Sequence, residues 1–167
     1  KIPDKIGILS NLLDKVDAII IGGGMSYTFL KAKGYEIGQS LLDEKNIELA
    51  NNIMNAAGEK NVEVHLPVDV VVAEKIADDV ETFEVDITDI PPDKMGLDIG
   101  IKTIKNFTEV IKNAKTAVWN GPMGVFELKP FEKYQKQGID RLSDIELLAL
   151  ILRTGTKKLN CIDLCKK

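Results

Sequence analysis

The sequence predicts an α/β protein: a doubly wound, Rossmann-like parallel sheet with helices on both faces, followed by a short all-α tail. Short continuous apolar runs, such as residues 18–21, stop at glycine and are followed by stretches with helical apolar spacing. That alternation is typical of strands buried on both faces of a parallel sheet. The tail is set apart by charge. Residues 1–127 hold 13 Lys and Arg against 21 Asp and Glu, while residues 128–167 hold 9 against 5.

The elements before the tail are predicted in order from apolar spacing and glycine positions. Helices are expected over 4–15, from Met25 to Gly34, and after Asp43, a candidate N-cap. The inward face of that third helix would consist of Ile47, Ala50, Ile53, Met54 and Ala57. Strands are predicted over 18–21, 62–66, 70–73, 83–87, 95–99 and 117–119, with a fourth helix over 101–113.

The tail has helical signals and no comparable strands. Ser143 is a candidate N-cap, and Glu146 completes a capping box before the apolar run 147–152. Gly155 is a natural stop for that helix, and a short helix is expected over 160–166. We therefore place a boundary between residues 127 and 128.

Composition excludes several classes of protein. The 167 residues are 44% hydrophobic and 29% charged, which is typical of one globular domain with or without an appendage. No apolar run approaches the roughly 20 residues of a membrane span, and no leader is recognisable. Because the chain begins with Lys1, we expect its natural start to be missing or processed. Cys161 and Cys165 are interpreted as reduced thiols, and the expected location is cytoplasmic.

Three glycine-containing turns follow predicted strands, at residues 22–24, 96–100 and 120–124. Ligands of open α/β sheets bind outside the carboxyl ends of the strands, where glycine lets the backbone approach them. Amides at the following helix start can then face an anion such as phosphate. Each turn alone also fits an ordinary tight strand–helix connection, and no Walker-type loop is present.

Few side chains indicate chemistry by themselves. Lys1 and Lys5 lie four residues apart at the first helix start, where they could present two cations to a polyphosphate or be simply solvated. Glu127 could accept hydrogen bonds from ribose hydroxyls or be a surface acid. His65 is interpreted as a structural histidine. No metal-ligand spacing connects Asp86, Asp89, Asp93 and Asp98.

Five segments in order give the chain a specific resemblance. They are residues 1–6 (KIPDKI), 20–30 (IIGGGMSYTFL), 66–69 (LPVD), 95–100 (MGLDIG) and 118–127 (VWNGPMGVFE). Together they resemble the nucleotide-binding C-terminal domain of phosphoglycerate kinase over residues 1–127. The resemblance implies reversible phosphoryl transfer between 1,3-bisphosphoglycerate and MgADP, giving 3-phosphoglycerate and MgATP in glycolysis. The family closes a hinge between its two domains to bring these substrates in line.

Site residues are carried over from the resemblance by position in these segments. It implies that Lys5, assisted by Lys1, neutralises charge on the transferring phosphoryl group. The adenine-side crevice would be lined by Gly23, Gly24 and Gly96. The phosphates would be bordered by Asn120, Gly121 and Pro122, and the ribose would be held by Glu127. The expected ligands are ADP or ATP with Mg²⁺ bound to the nucleotide, and no protein-held metal is expected.

The sequence also departs from that family. The phosphoglycerate-binding domain, the loop with the Mg-nucleotide aspartate and the last strands are not matched, so the sheet is expected to be partial and the isolated chain inactive. Residues 129–167 resemble the N-terminal helical region of the RadC-like family, without its metal-binding motif.

Three interpretations remain open from the sequence. They are a phosphoglycerate kinase fragment, a non-catalytic truncated or chimeric nucleotide-binding remnant, and a DNA-associated helical module led by the tail. We expect no membrane partner and no nucleic-acid partner. The first interpretation requires the loops with Gly24, Gly96, Asn120 and Glu127 to converge on one rim.

Overall fold

The computed structural model describes residues 2–77, 79–118, 123–124 and 150–152, with the backbone alone at 2–5, 7 and 150–152. The described residues form a mixed α/β fold, as predicted. The helices are α1 (Ile2–Leu12), α2 (Gly23–Ala32), α3 (Ile47–Glu59) and α4 (Ile101–Asn113). The strands are β1 (Val16–Ile20), β2 (Glu63–His65), β3 (Asp69–Ala73), β4 (Phe83–Asp86), β5 (Met95–Ile99), β6 (Ala117–Val118) and β7 (Leu150–Leu152).

The first sheet has the strand order β2-β1-β7-β6. Strands β1 and β2 are parallel, with Ile19 opposite Val64, as the crossover through α2 and α3 requires. The helices α1, α2 and α3 bury apolar residues against β1, and Ile6, Ile19 and Phe29 are fully buried there. On α3 the buried positions are Ala50, Ile53 and Ala57, so the predicted inward face is confirmed at these positions.

The second sheet differs from the expectation of one parallel sheet. Its order is β4-β3-β5, and β3 is antiparallel to both neighbours. The physical reason is the connection from β3 to β4. Parallel neighbours need a crossover of a dozen or more residues, usually a helix, and the described part of residues 74–82 contains none. Strand β3 is buried along its whole length, and its residues Val70 and Val72 pack against α2.

The tail differs from the all-α expectation where it is described. Residues 150–152, predicted as helix, form strand β7, which pairs antiparallel with β1 and with β6. The capping box at Ser143 and Glu146 is a local signal, whereas the two open strand edges that β7 joins are distant in sequence. The predicted boundary at 127/128 and the helix over 160–166 lie outside the described residues and stay predictions.

Candidate nucleotide site

The start of α2 follows the carboxyl end of β1, and its first two residues, Gly23 and Gly24, have no side chains. Gly22 is the N-cap with extended backbone (φ −121°, ψ −173°), and Gly23 has φ +61°, a left-handed conformation that favours glycine. No acidic residue lies in the first turn. The Ser26 hydroxyl donates back to the Gly23 carbonyl at 2.7 Å, which fixes the turn.

The first amides of α2 have no side-chain acceptor among the described residues. A helix start leaves about four N–H groups without an intrahelical partner. Neither the Gly22 cap nor any described side chain accepts from Gly23, Gly24 or Met25. Among the described residues these amides therefore have no side-chain acceptor, and a helix start favours an anion or another hydrogen-bond acceptor there.

Gly96 in β5 lies against the same helix. A Cβ at Gly96 would collide with the hydroxyl end of Tyr27, which is on α2 one turn after Gly23. The Gly96 amide donates to the Ser40 hydroxyl at 2.9 Å. Both contacts come from α2 and the loop after it, so the glycine start of α2 and Gly96 belong to one packed unit.

Residues 123–124 connect the third glycine turn to the first two. A Cβ at Gly22 would collide with the Met123 sulfur, and a Cβ at Gly124 would collide with the Asp98 carboxylate. Met123 also packs against the apolar cluster around Ile99 and Phe107. The three segments, at the α2 start, β5 and residues 123–124, thus contact one another, which is the geometry that a shared ligand crevice needs.

Asp98 places a buried carboxyl at the centre of these contacts. Its side chain is 3% exposed, and burial raises its pKa to about 7, although an accepted hydrogen bond from the Ile99 amide at 2.8 Å opposes the shift. Burial, with a smaller contribution from Asp98, also raises the pKa of Tyr27. Burial thus moves the pKa of the Asp98 carboxyl from the acidic range toward neutral pH.

The second glycine turn does not offer an open helix start. The Asp69 carboxylate accepts from the amides of Lys102 at 2.8 Å and Thr103 at 2.7 Å, and Glu84 accepts from Ile101 at 3.1 Å. Burial is the largest cause that raises the pKa of Glu84, and hydrogen bonding with Asp69 raises it further. The expectation that each glycine turn could present amides to phosphate is therefore wrong at α4, because carboxylates of β3 and β4 already occupy them.

The predicted site residues divide into two groups. Gly23, Gly24 and Gly96 are described and lie in the packed unit above. Lys5 lies in the first turn of α1, and only its backbone is described. The remaining predictions fall outside the described residues: Lys1, Asn120, Gly121, Pro122 and Glu127.

The sequence did not predict that Tyr27, Ser40 and Asp98 belong to this packed unit. Tyr27 lies inside the 20–30 segment, so its position was a usable signal. Nothing local marks Ser40, whose role depends on a contact with a residue far along the chain. His65 pairs with Glu63 at 3.0 Å on β2, and it takes no part in the unit.

The described part of the chain has neither a metal-binding cluster nor a membrane-spanning helix. No group of three or more His, Cys, Asp or Glu side chains there could hold a metal ion. Among the same residues, every helix is too short or too polar to cross a bilayer.

Comparison with known proteins gives consistent matches. The family model described as phosphoglycerate kinase matches residues 1–163. The phosphoglycerate kinase structure from Coxiella burnetii matches with 40% identity and a TM-score of 0.78, over 83% of this chain and 37% of that one. The structure from Pyrococcus horikoshii OT3 matches with 25% identity and a TM-score of 0.60, over 86% of this chain and 37% of that one.

The match to the family model also includes most of the tail, residues 128–167. The family match continues past residue 128 to residue 163, and the separate RadC-like resemblance finds no support in these comparisons. The chain spans 37% of the length of both solved structures, so each of them contains much that these 167 residues do not.

Proposed function

We propose, since this chain belongs to the phosphoglycerate kinase family, that its α2 start, β5 and residues 120–127 form part of an ADP- and ATP-binding site. The observation that carries the proposal is the mutual contact of Gly22 with Met123, Gly96 with Tyr27 and Gly124 with Asp98. The glycines let the three segments pack closely on one another, and Gly23 and Gly24 give the α2 start two positions without side chains, which suits the approach of a flat ring.

The base side of the proposed site is formed by Gly23, Gly24 and Gly96. Purine ring nitrogens accept hydrogen bonds, and the α2 amides are free of side-chain acceptors in the described part. The start of α4 supports this assignment, because its amides already donate to carboxylates. Among the described residues, the first amides of α2 have no such acceptor.

The phosphate side is assigned through the family segments. Lys5, assisted by Lys1, neutralises charge on the transferring phosphoryl group, while Asn120, Gly121 and Pro122 border the phosphates. Glu127 accepts hydrogen bonds from the ribose hydroxyls. Positioning and charge neutralisation supply most of the acceleration in phosphoryl transfer, so two lysines and backbone donors suit this chemistry. Mg²⁺ belongs to the bound nucleotide and neutralises phosphate charge there.

The reaction of the whole protein is proposed to be phosphoryl transfer between 1,3-bisphosphoglycerate and MgADP, in the glycolysis of the cytoplasm. In-line transfer needs both reactants held in position. The 167 residues span 37% of their solved relatives, so we propose that they hold the nucleotide and lack turnover by themselves. A coupled assay with 3-phosphoglycerate and MgATP should show no turnover above buffer, and turnover near that of a full-length kinase would contradict this.

Isothermal titration of the chain with ADP tests nucleotide binding. We expect measurable heat at millimolar ADP, lost or strongly reduced in Glu127→Ala and Lys5→Ala. Glu59→Ala and Lys45→Ala, which change exposed residues away from the α2 start, are the matched controls and should bind as the unmodified chain does. No heat from the unmodified chain would overturn the proposed function. Equal loss in the controls would overturn the assignment of the two site residues.

A further inference from the structure

Gly96 is held from two sides by residues to which the proposed site gives no role. Its amide hydrogen donates to Ser40 Oγ at 2.9 Å, and the Ser40 side chain is buried. On the other side, the position of a Cβ is taken by the Tyr27 ring and hydroxyl. Because its amide is engaged, Gly96 cannot donate to a nucleotide, and its contribution to a binding surface depends on where these two residues hold it.

The ladder around Gly96 is irregular, which makes this support necessary. Val71 lies opposite Asp98 while Val72 lies opposite Gly96, so one residue of β5, Leu97, is extra. Such bulges bend a strand and disrupt the local ladder. The Ser40 hydroxyl accepts from an amide at this irregular point, so it stabilises the position of Gly96 where the strand pairing alone is weakest.

Ser40 is itself fixed in place. The Gln39 amide donates to the Lys94 carbonyl at 2.8 Å, and the Gln39 side chain donates to the Pro92 carbonyl at 3.0 Å. Gly38, with φ +57°, packs so closely on the Lys94 and Pro91 carbonyls that a Cβ would collide with both. The loop at 38–40 is therefore clamped to residues 91–94, which lead directly into β5.

We propose that Ser40 and Tyr27 are positioning residues of the nucleotide site, which fix the base-side wall by holding Gly96 at the bulge of β5. The inference rests on the proposed function. Neither residue contacts the nucleotide in this account. Ser40 and Tyr27 each act through Gly96, so a substitution of either residue alters the affinity for ADP without removing a contact to the ligand.

The test compares ADP affinity with stability in the full chain. Ser40→Ala removes the acceptor of the Gly96 amide and should weaken ADP binding about tenfold, the effect of one buried hydrogen bond. Ser40→Thr keeps the hydroxyl and should bind within about threefold of the unmodified chain. Tyr27→Phe removes only the hydroxyl beside Gly96 and should weaken binding about two- to threefold. Circular dichroism at the titration temperature confirms that each variant is folded.

A destabilised control separates positioning from stability. Thr103→Val removes the hydroxyl that donates to Asp69 at 2.5 Å and accepts from the Asp69 amide at 3.1 Å, both at the α4 start. It should lower the free energy of unfolding and leave the dissociation constant for ADP unchanged. If the unmodified chain binds ADP and Ser40→Ala binds it equally well, the positioning role alone is overturned. The same conclusion follows if Thr103→Val weakens ADP binding as much as Ser40→Ala does. No ADP binding by the unmodified chain overturns the proposed function and this inference with it.

Discussion

Gly22 before α2 and Gly100 before α4 both have extended backbone, and neither helix has an acidic residue in its first turn. Their surroundings are opposite. At α4, Asp69 and Glu84 reach in from β3 and β4 and accept from the first three amides of the helix. At α2, no described side chain accepts from the corresponding amides. The same strand–glycine–helix pattern thus gives amides capped by carboxylates at α4 and, among the described residues, amides without a side-chain acceptor at α2.

Gly100, the cap of α4, and Gly23, the first residue of α2, have different roles. A Cβ at Gly100 would collide with the Asp69 carboxylate, so that glycine makes room for a side chain of the protein itself. Gly23 instead has a left-handed backbone, and no described side chain covers its amide. Anions and hydrogen-bond acceptors are favoured at a helix start, and α4 already has its own. We therefore expect substitutions at α4 to change stability, and substitutions around α2 and β5 to change ligand binding as well.

The largest effect on stability is expected from opening the α4 start. Asp69→Ala leaves the amides of Lys102 and Thr103 without their acceptor in a site where Asp69 is 1% exposed, while the Thr103 hydroxyl keeps the backbone carbonyl of residue 69 as an acceptor at 2.9 Å. Unsatisfied buried donors cost about 1 to 3 kcal/mol each, so the free energy of unfolding should fall by about 4 kcal/mol. Urea unfolding measures the change.

The matched control for that prediction is an exposed aspartate. Asp79→Ala should change the free energy of unfolding by no more than about 0.5 kcal/mol. If Asp69→Ala proved equally mild, the contrast between the two helix starts would lose its structural basis.

The next effect is a pH dependence at the junction of β5 and residues 123–124. Burial raises the pKa of Asp98 to about 7, against about 4 in the unfolded chain. The folded state binds this proton more tightly than the unfolded chain does. The contribution of Asp98 to the free energy of unfolding is therefore complete below pH 4 and is lost as the pH rises through 7. Between pH 5 and 8 the free energy of unfolding should fall by about 2 to 3 kcal/mol on this account.

Asp98→Asn isolates the contribution of that carboxyl. The variant keeps an oxygen to accept from the Ile99 amide but does not titrate, so its unfolding curves should show a shallower fall between pH 5 and 8 than those of the unmodified chain. Identical pH profiles would mean that Asp98 is not the group responsible.

A smaller effect is expected where β5 packs on α2. Gly96→Ala forces a methyl group into the Tyr27 ring, and overpacking of this kind costs about 1 to 3 kcal/mol. Gly58→Ala is the matched change, because a Cβ there meets nothing within 4 Å and the residue lies in α3. It should stabilise the protein by about 0.5 to 1 kcal/mol. Thermal unfolding of the pair gives opposite signs if the Gly96–Tyr27 contact is as close as described, and the same sign if it is not.

The elements with strong local signals were predicted closely. Strand β5 and helix α4 have the predicted bounds, since Gly100 separates them and the helical apolar spacing of α4 is a local signal in the sequence. Pairing was harder to predict. The antiparallel sheet around β3 and the strand at residues 150–152 depend on which strand edges are free in the folded chain, which no local pattern records.

The candidate site shows the same division. The glycine turns were visible as motifs, and their residues Gly23, Gly24 and Gly96 lie in one packed unit. The occupancy of the α4 start was not visible, because Asp69 and Glu84 lie in other strands, well before Gly100 in the chain. Ser40 likewise gains its role only from the fold. A motif therefore predicts where donors exist, and the tertiary structure decides which of them a ligand can reach.

We expect ADP to bind at the α2 start and not at the similar start of α4. Titration of the ¹⁵N-labelled chain with ADP, followed through its backbone amide resonances, tests this most directly. We expect the amides of Gly23, Gly24 and Met25 to shift with saturable dependence on ADP, while those of Lys102 and Thr103, held by Asp69, stay in place. Saturable shifts confined to Lys102 and Thr103, or no shift at the α2 start, would contradict the account.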